Sequence, residues 1–199
     1  MASIYKDESH AFLNLRIVLL GASGVGKSAT GNAILGREAF KETTTTVSEV
    51  QRGRVEDRNI SVIDTPGFFN PQLSDEDLQN EMMKSLCHAH PGPHVFLLIV
   101  KLDTNTKDDA RKIVEKIQES FGKEVLKFTL VLFTGREKIS RKECDQFIES
   151  ERTKEFLSYF KGRFHTINSK MECTSKQIMK LLREIDNLVK NNEGQHYTK

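Results

Sequence analysis

Leu15-Arg-Ile-Val-Leu-Leu-Gly-Ala-Ser-Gly-Val-Gly-Lys-Ser28 is the segment from which the architecture of this chain follows. Its first half is a short apolar run that ends at Gly21, which is typical of a buried β-strand. Its second half matches G-x-x-x-x-G-K-[ST] and opens a helical stretch. This order predicts a loop that wraps a phosphate group. The alternative is an ordinary glycine-rich turn, which the flanking strand and helix disfavour.

Each residue type in this loop has a physical task. Glycines allow the backbone to approach a phosphate closely with its N–H groups pointing inward, and the following helix adds the partial charge of its N-terminus. Lys27 is expected to reach the β- and γ-phosphates, and the Ser28 hydroxyl is expected to ligate Mg²⁺. The loop residues expected to contact the nucleotide are Gly21, Ser23, Gly24, Val25, Gly26, Lys27, Ser28 and Ala29.

A second motif, Asp64-Thr-Pro-Gly67, stands at the end of another predicted strand. Asp64 is expected to hold Mg²⁺ through water, and the Gly67 amide is expected to sense a γ-phosphate. The run Thr43-Thr-Thr-Thr46 lies between the two motifs, where a switch threonine that closes on Mg²⁺ only with a triphosphate bound would sit. Thr45 and Thr46 are the candidates, and the other threonines form a loop that leads into a strand.

A third segment, Thr134-Gly-Arg-Glu137, follows a continuous apolar strand. A carboxylate at this place could accept hydrogen bonds from N1–H and N2–H₂ of guanine, a pair that adenine lacks. The usual guanine-reading pattern is [NT]-K-x-D, and Gly135 and Glu137 depart from it, so a plain loop and an ATPase both stay open. Asn168 follows the last predicted strand, where a loop that contacts the base belongs. Thr134, Glu137 and Asn168 are therefore the candidates for base binding.

Composition excludes several classes of protein. The 199 residues carry 30 Lys and Arg against 28 Asp and Glu, a net charge of +2, whereas a dedicated nucleic-acid binder usually gathers a basic excess on one face. Three widely spaced cysteines without a C-x-x-C pair are typical of a reducing compartment. Apolar runs stay far below the roughly 20 residues that cross a bilayer, and no secretory signal is visible. The expectation is a cytoplasmic protein that binds no nucleic acid and has no membrane segment.

Apolar strands alternate with amphipathic helices along the chain, and this alternation predicts an α/β fold with a mostly parallel sheet and helices on both faces. The segments Ser48–Val55 and Asn59–Ile63 are expected to pair as a hairpin. Residues 1–11 are interpreted as an N-terminal lead, residues 12–190 as one domain, and residues 191–199 as a polar, frayed tail. Capping signatures open four of the helices, at Ser74, Thr106, Ser140 and Thr174.

Taken in order, these motifs resemble those of a P-loop GTPase, and more narrowly those of the immune-associated nucleotide-binding proteins, also called GTPases of immunity-associated proteins (GIMAP). The resemblance covers about residues 12–198. It implies a three-layer P-loop NTPase fold, a Ras-like G domain of the AIG type over residues 12–190. It also implies Mg²⁺-dependent binding of GTP and GDP, and self-association into a homodimer or homo-oligomer when GTP is bound. The stretches that carry it are Leu19–Gly36, Asp64–Asn70, Pro91–Leu98, Thr106–Asp109, Phe121–Gly122, Leu132–Thr134 and Gly194–Thr198.

Two departures from the family pattern bear on hydrolysis. Phe68 follows Gly67 where many small GTPases place a water-orienting glutamine, and a phenyl ring cannot form that hydrogen bond. Some family members are thought to supply an arginine across a dimer interface, and the matching position here is Thr104. Without an arginine finger, turnover on the order of 10⁻⁴ to 10⁻² s⁻¹ is expected. Two functions stay open: a weak GTPase switch in which Lys27, Ser28 and Asp64 are catalytic, and a scaffold that binds nucleotide without hydrolysing it.

Two further patterns have simpler explanations. The group Cys87, His88, His90 and His94 suggests a zinc site, but prolines interrupt the segment. The apolar stripe Ile178–Val189 could bind a partner helix, yet this spacing more often faces a core.

Overall fold

The computed structural model describes residues 14–103 and 110–199. Within these ranges the strands are β1 (Asn14–Leu20), β2 (Glu49–Val55), β3 (Arg58–Asp64), β4 (Val95–Lys101), β5 (Thr129–Thr134) and β6 (Phe164–Thr166). They form one sheet in the order β2-β3-β1-β4-β5-β6. The pair β2–β3 is antiparallel, and the other adjacent pairs are parallel. The prediction of a mostly parallel sheet is confirmed.

The α-helices of the described ranges are α1 (Lys27–Leu35), α2 (Asp75–His88), α3 (Ala110–Phe121), α4 (Arg141–Glu149), α5 (Glu151–Ser158) and α6 (Ser175–Asn191). Successive side chains of a strand point to opposite faces of the sheet, and each face therefore has its own apolar core. Leu15, Ile17 and Leu19 belong to the core shared with α1 and α6. Val18 and Leu20 belong to the core shared with α2, α3, α4 and α5. The three-layer α/β fold is confirmed.

Side-chain caps fix where three of the predicted helices begin. The hydroxyls of Ser74, Ser140 and Thr174 each accept a hydrogen bond from the backbone N–H three residues later. At Ser140 the Glu143 carboxylate also accepts from the Ser140 N–H, which completes a capping box. These three predicted helix starts are confirmed, and the fourth, at Thr106, lies outside the described residues.

The hairpin between β2 and β3 is also confirmed. Its turn consists of Glu56 and Asp57, with φ values of 50° and 62°, and a positive φ at both central residues matches the right-handed twist of the strands. Helix α5 is an element that the sequence analysis missed. Ser150 ends α4 and caps α5 through its hydroxyl, which accepts from the Thr153 N–H. Two helices that meet at one residue look like a single polar stretch in the sequence.

The C-terminal tail is folded onto the domain, and the prediction that it frays is wrong at Tyr197. This side chain is buried against Phe96, and its hydroxyl donates to the Phe121 carbonyl at 2.5 Å. The Tyr197 N–H donates to the Pro93 carbonyl at 2.9 Å. The tail therefore fastens the end of α3 to the segment that leads into β4. A polar composition concealed this role, because the tail buries a single aromatic side chain.

His94 has a backbone partner that accounts for it without zinc. Its Nδ1 accepts the Arg16 N–H at 3.0 Å, and burial lowers the pKa of His94 to about 4, with smaller contributions from Arg16 and His196. Among residues 14–103 and 110–199, no three His, Cys, Asp or Glu side chains are grouped as metal ligands. The apolar stripe of α6 lies in the core, as predicted. No helix in the described part of the chain has the length and apolarity to cross a membrane.

Candidate functional site

The loop between β1 and α1 has the backbone that its glycines permit. Gly24 and Gly26 have φ values of 83° and 95°, a left-handed conformation that residues with a Cβ adopt at a cost. Gly26 is the N-terminal cap of α1, and Lys27 is the first residue of that helix. The orphan N–H groups of the helix therefore begin at the loop, which is how helix N-termini bind anions. The loop lies at the carboxyl end of β1, between β3 and β4, the edge where open α/β sheets bind ligands.

Lys27 is folded back against its own loop. Its side chain is buried, and Nζ donates to the Ala22 carbonyl at 3.2 Å. Burial lowers the pKa of Lys27 to about 8, and the nearby Asp64 carboxylate opposes that shift. A desolvated ammonium with one carbonyl partner gains strongly from a phosphate placed beside it.

Ser28, Thr45 and Asp64 form one oxygen cluster, which we call the hydroxyl–carboxylate cluster. The Ser28 hydroxyl donates to Asp64 Oδ2 at 2.5 Å. Thr45 Oγ1 lies 3.5 Å from the same carboxylate oxygen and 3.4 Å from Ser28 Oγ. Burial raises the pKa of Asp64, while the hydrogen bond from Ser28 and the charge of Lys27 lower it. Helix α1, strand β3 and the loop between α1 and β2 thus place three side-chain oxygen atoms close together.

The cluster fits a hard cation. The other carboxylate oxygen, Asp64 Oδ1, is buried and has no hydrogen-bond partner among the described residues. A buried carboxylate oxygen without a partner is costly. Mg²⁺ binds carboxylate oxygens and, in P-loop proteins, a Ser or Thr hydroxyl. Ser28, Asp64 and Thr45 would hold the ion. Thr46 is exposed and is absent from the cluster, so the structure separates the two candidate threonines.

Gly67 and Phe68 lie against the glycine-rich loop between β1 and α1. The Phe68 N–H donates to the Gly21 carbonyl at 2.9 Å, and the Ser23 N–H donates to the Phe68 carbonyl at 3.0 Å. A Cβ at Gly67 would lie 2.4 Å from Ser23 Cα, so only glycine fits there. The Phe68 ring is fully buried in the core. Phe68 stands where many small GTPases place a catalytic glutamine, and its side chain packs inside the protein.

Two adjacent cavities extend from the loop. The phosphate-side cavity, of about 440 Å³, is lined by Ser23, Lys27, Ser28, Thr45 and Gly67 among others. The base-side cavity, of about 420 Å³, is lined by Val25, Thr134, Asn168, Ser169 and Lys170 among others. Gly26 and Ala29 line both. A mainly apolar cavity of about 480 Å³ lies behind the loop, but Lys27, Ser28 and Asp64 take no part in its lining.

Of the three residues predicted to bind the base, two line the base-side cavity and the third lies beside it. Thr134 and Asn168 line the cavity. Glu137 is exposed beside it, and its carboxylate accepts hydrogen bonds from the Ser169 N–H at 2.9 Å and from the Ser169 hydroxyl. These bonds join the loop after β5 to the loop after β6. Each carboxylate oxygen keeps a free lone pair for a further donor.

Other residues of the site escaped the sequence analysis. Lys138 lines the base-side cavity, and its Cδ would be in ordinary van der Waals contact, at 3.8 Å, with a Cβ placed at Gly135. Lys170 contacts Glu38 and Glu42, and no local pattern could have paired residues so far apart. Thr104, the position matched to an arginine finger, lies outside the described residues.

Comparison with known proteins finds relatives that match nearly the whole chain. GTPase IMAP family member 8 from Homo sapiens is 30% identical over 200 residues, which cover 96% of this chain and 30% of that protein. Immune-associated nucleotide-binding protein 9 from Arabidopsis thaliana is 31% identical over 201 residues, which cover 92% of this chain and 57% of that protein. The chain thus spans about a third and somewhat over half of the lengths of these two relatives.

A solved structure has the same fold. The crystal structure of Toc33 from Arabidopsis thaliana in complex with Mg²⁺ and GMPPNP matches with a TM-score of 0.74 at 20% identity, covering 94% of this chain and 89% of that chain. The AIG1 family model matches residues 15–199. Because this match covers nearly the whole chain, and because the two relatives above are at least 30% identical, this chain belongs to the AIG1 family.

Proposed function

We propose that this chain binds GTP and GDP together with Mg²⁺ and acts as a nucleotide-dependent switch that hydrolyses GTP slowly. The observation that carries the proposal is the hydroxyl–carboxylate cluster beside the buried Lys27. The Ser28 hydroxyl donates to Asp64 Oδ2 at 2.5 Å. The other carboxylate oxygen, Asp64 Oδ1, has no hydrogen-bond partner within the described residues. A related fold, that of Toc33, has been solved with Mg²⁺ and GMPPNP, which supports the same ligands here.

Each residue has a part in this proposal. Ser28, Asp64 and Thr45 would hold Mg²⁺, which would supply positive charge to neutralise the phosphate groups. The Lys27 ammonium, released from the Ala22 carbonyl, binds the phosphate oxygens. The amides of Gly24, Gly26 and Ala29 border the phosphate-side cavity and donate to the same oxygens.

The base is proposed to lie in the base-side cavity with guanine preferred. Glu137 is fixed by Ser169 at the edge of this cavity, and its free lone pairs can accept N1–H and N2–H₂ of guanine. An ATPase is the competing assignment, because Gly135 stands where the guanine-reading pattern has a lysine. A competition of ATP and GTP for the same site discriminates between the two, and tighter ATP binding would reject guanine.

Hydrolysis is proposed to be slow and to depend on a second copy of the chain. The buried Phe68 has no polar group for the attacking water. For Toc33 and Toc159, dimerization is important for the GTPase activity, and the same dependence is proposed here for a homodimer or homo-oligomer. A scaffold that binds nucleotide without hydrolysis is the second candidate, favoured by the same buried ring.

The three cysteines are free, which supports a reducing, cytoplasmic compartment.

The decisive experiment measures GTP turnover per molecule with Mg²⁺ over a wide range of protein concentration. Lys27→Ala is the blank for contaminating activity. Turnover that climbs with concentration supports a hydrolase completed by its partner. A flat rate at or below about 10⁻³ s⁻¹ with nucleotide tightly bound supports the scaffold, and loss of all guanine-nucleotide binding refutes both.

A further inference from the structure

An ion-pair cluster connects two loops of the candidate site. Lys170 follows β6, and its Nζ contacts Glu42 Oε2 at 2.5 Å and also Oε1 of Glu38. Both carboxylates belong to the segment between α1 and β2, and Glu42 is 128 residues from Lys170 in the chain. The Lys170 side chain is 22% exposed, so it is held against the protein while its carboxylate partners face solvent.

Members of the ion-pair cluster line both cavities of the candidate site. Glu42 lines the phosphate-side cavity, Lys170 lines the base-side cavity, and Gly26 and Ala29 line both. A nucleotide with its phosphates in one cavity and its base in the other has its ribose between them. The contact between Lys170 and Glu42 joins the walls of the two halves at that junction.

We propose that Lys170, Glu38 and Glu42 form an ionic latch over the bound nucleotide, and that opening of this latch sets the rate of nucleotide release. The inference rests on the nucleotide site proposed above. An isolated surface ion pair contributes little to stability, but a latch needs only to delay one motion. One lysine held by two carboxylates must break both contacts before the two loops separate.

The latch and a direct effect of the Glu42 charge predict opposite changes in the rate of nucleotide release when Glu42 is neutralised. As a carboxylate beside the phosphate-side cavity, Glu42 would repel phosphates, so neutralising it would slow nucleotide release. As part of the latch, it holds the site shut, so neutralising it speeds release. Glutamine is the suitable replacement because it keeps the size of the side chain and removes the charge.

The test follows dissociation of a fluorescent mant-GDP from the full chain, with Mg²⁺ present and excess unlabelled GDP as the chase. The double variant Glu38→Gln/Glu42→Gln is expected to release mant-GDP about two- to tenfold faster than the parent. The matched control is Glu172→Gln, which removes a carboxylate from the short 3-10 helix Lys170–Glu172 that also contains Lys170. In the described residues Glu172 forms no ion pair, and its variant should release mant-GDP at the parental rate.

A double-mutant cycle with Lys170→Met completes the test. Both the lysine variant and the double glutamine variant remove the same latch, so the triple variant should be no faster than the faster of the two. Release from the parent should also accelerate with KCl, and this salt dependence should flatten in the glutamine variant. Unchanged or slower release on losing the carboxylates, or additive effects in the cycle, overturns the latch alone. A parent chain that binds no mant-GDP overturns both the latch and the proposed function.

Discussion

Ser28 and Asp64 are 36 residues apart in the chain, and the Ser28 hydroxyl donates to the Asp64 carboxylate at 2.5 Å. Ser28 lies in the first turn of α1, and Asp64 is the last residue of β3. Because β1 and β3 are parallel neighbours with Leu19 opposite Asp64, the loop after β1 and the end of β3 meet at one edge of the sheet. This contact brings the glycine-rich loop and the second motif together as one site.

Thr45 and Thr46 should differ when each is replaced by alanine. Thr45→Ala removes a hydroxyl from the hydroxyl–carboxylate cluster and is expected to weaken binding of a GTP analogue in Mg²⁺ about tenfold. Thr46 is exposed, so Thr46→Ala is the matched control and should bind like the parent. Fluorescence titration with mant-GMPPNP measures both. Equal losses for the two variants would contradict the assignment of Thr45.

Affinity for nucleotide should fall as the pH rises above 8. The pKa of Lys27 is about 8 because the side chain is buried, and a phosphate placed beside it would raise that pKa. Above pH 8 the complex therefore binds more protons than the free protein. Affinity for nucleotide is then greatest below pH 8 and declines by up to about tenfold per pH unit above it. GDP titrations from pH 7 to 9 measure the decline.

Lys27→Met is the control for this pH dependence. It removes the titrating group and should bind GDP weakly at every pH, with only the slope that the nucleotide itself contributes. A parent and variant with the same slope would show that Lys27 does not titrate in this range.

Phe68→Gln, which introduces the glutamine of many small GTPases, should destabilise the protein without accelerating hydrolysis. The ring is fully buried, and replacing it with a polar side chain is expected to lower the free energy of unfolding by about 3 kcal/mol or more. Its neighbour Phe69 is 44% exposed, so Phe69→Gln is the control and should cost less than about 1 kcal/mol. Urea denaturation and single-turnover GTP hydrolysis test the pair, and a stable Phe68→Gln variant with faster hydrolysis would refute it.

Tyr197 should contribute to stability although it is near the C-terminus of the chain. Tyr197→Ala is expected to lower the free energy of unfolding by about 3 kcal/mol, because it empties a buried aromatic site. Tyr197→Phe loses only the hydrogen bond to the Phe121 carbonyl and should cost about 1 kcal/mol. Thr198→Ala changes an exposed neighbour and should be neutral. Thermal unfolding of the three variants measures this order, and a neutral Tyr197→Ala would mean that the tail is not docked in solution.

Local patterns in the sequence were sufficient for most of the strands and helices and for naming the candidate residues of the site. The apolar run before Gly21 predicted β1, and the hydroxyls of Ser74, Ser140 and Thr174 predicted three helix starts. Each of these signals acts over a few residues, through side-chain periodicity or a cap. Strand–helix alternation then predicted a mostly parallel sheet, and parallel strands bring the loops that follow them to one edge.

The tertiary structure decided what depends on contacts between distant residues. It placed Thr45 beside Asp64 and left Thr46 exposed. It also buried Phe68 in the core, docked Tyr197 on Phe121 and paired Lys170 with Glu42. Neighbouring threonines have the same composition and the same local preference, and a polar tail has no periodic pattern to show which side chain it buries. Such choices follow from packing and charge across tens of residues, which only the folded chain brings within reach.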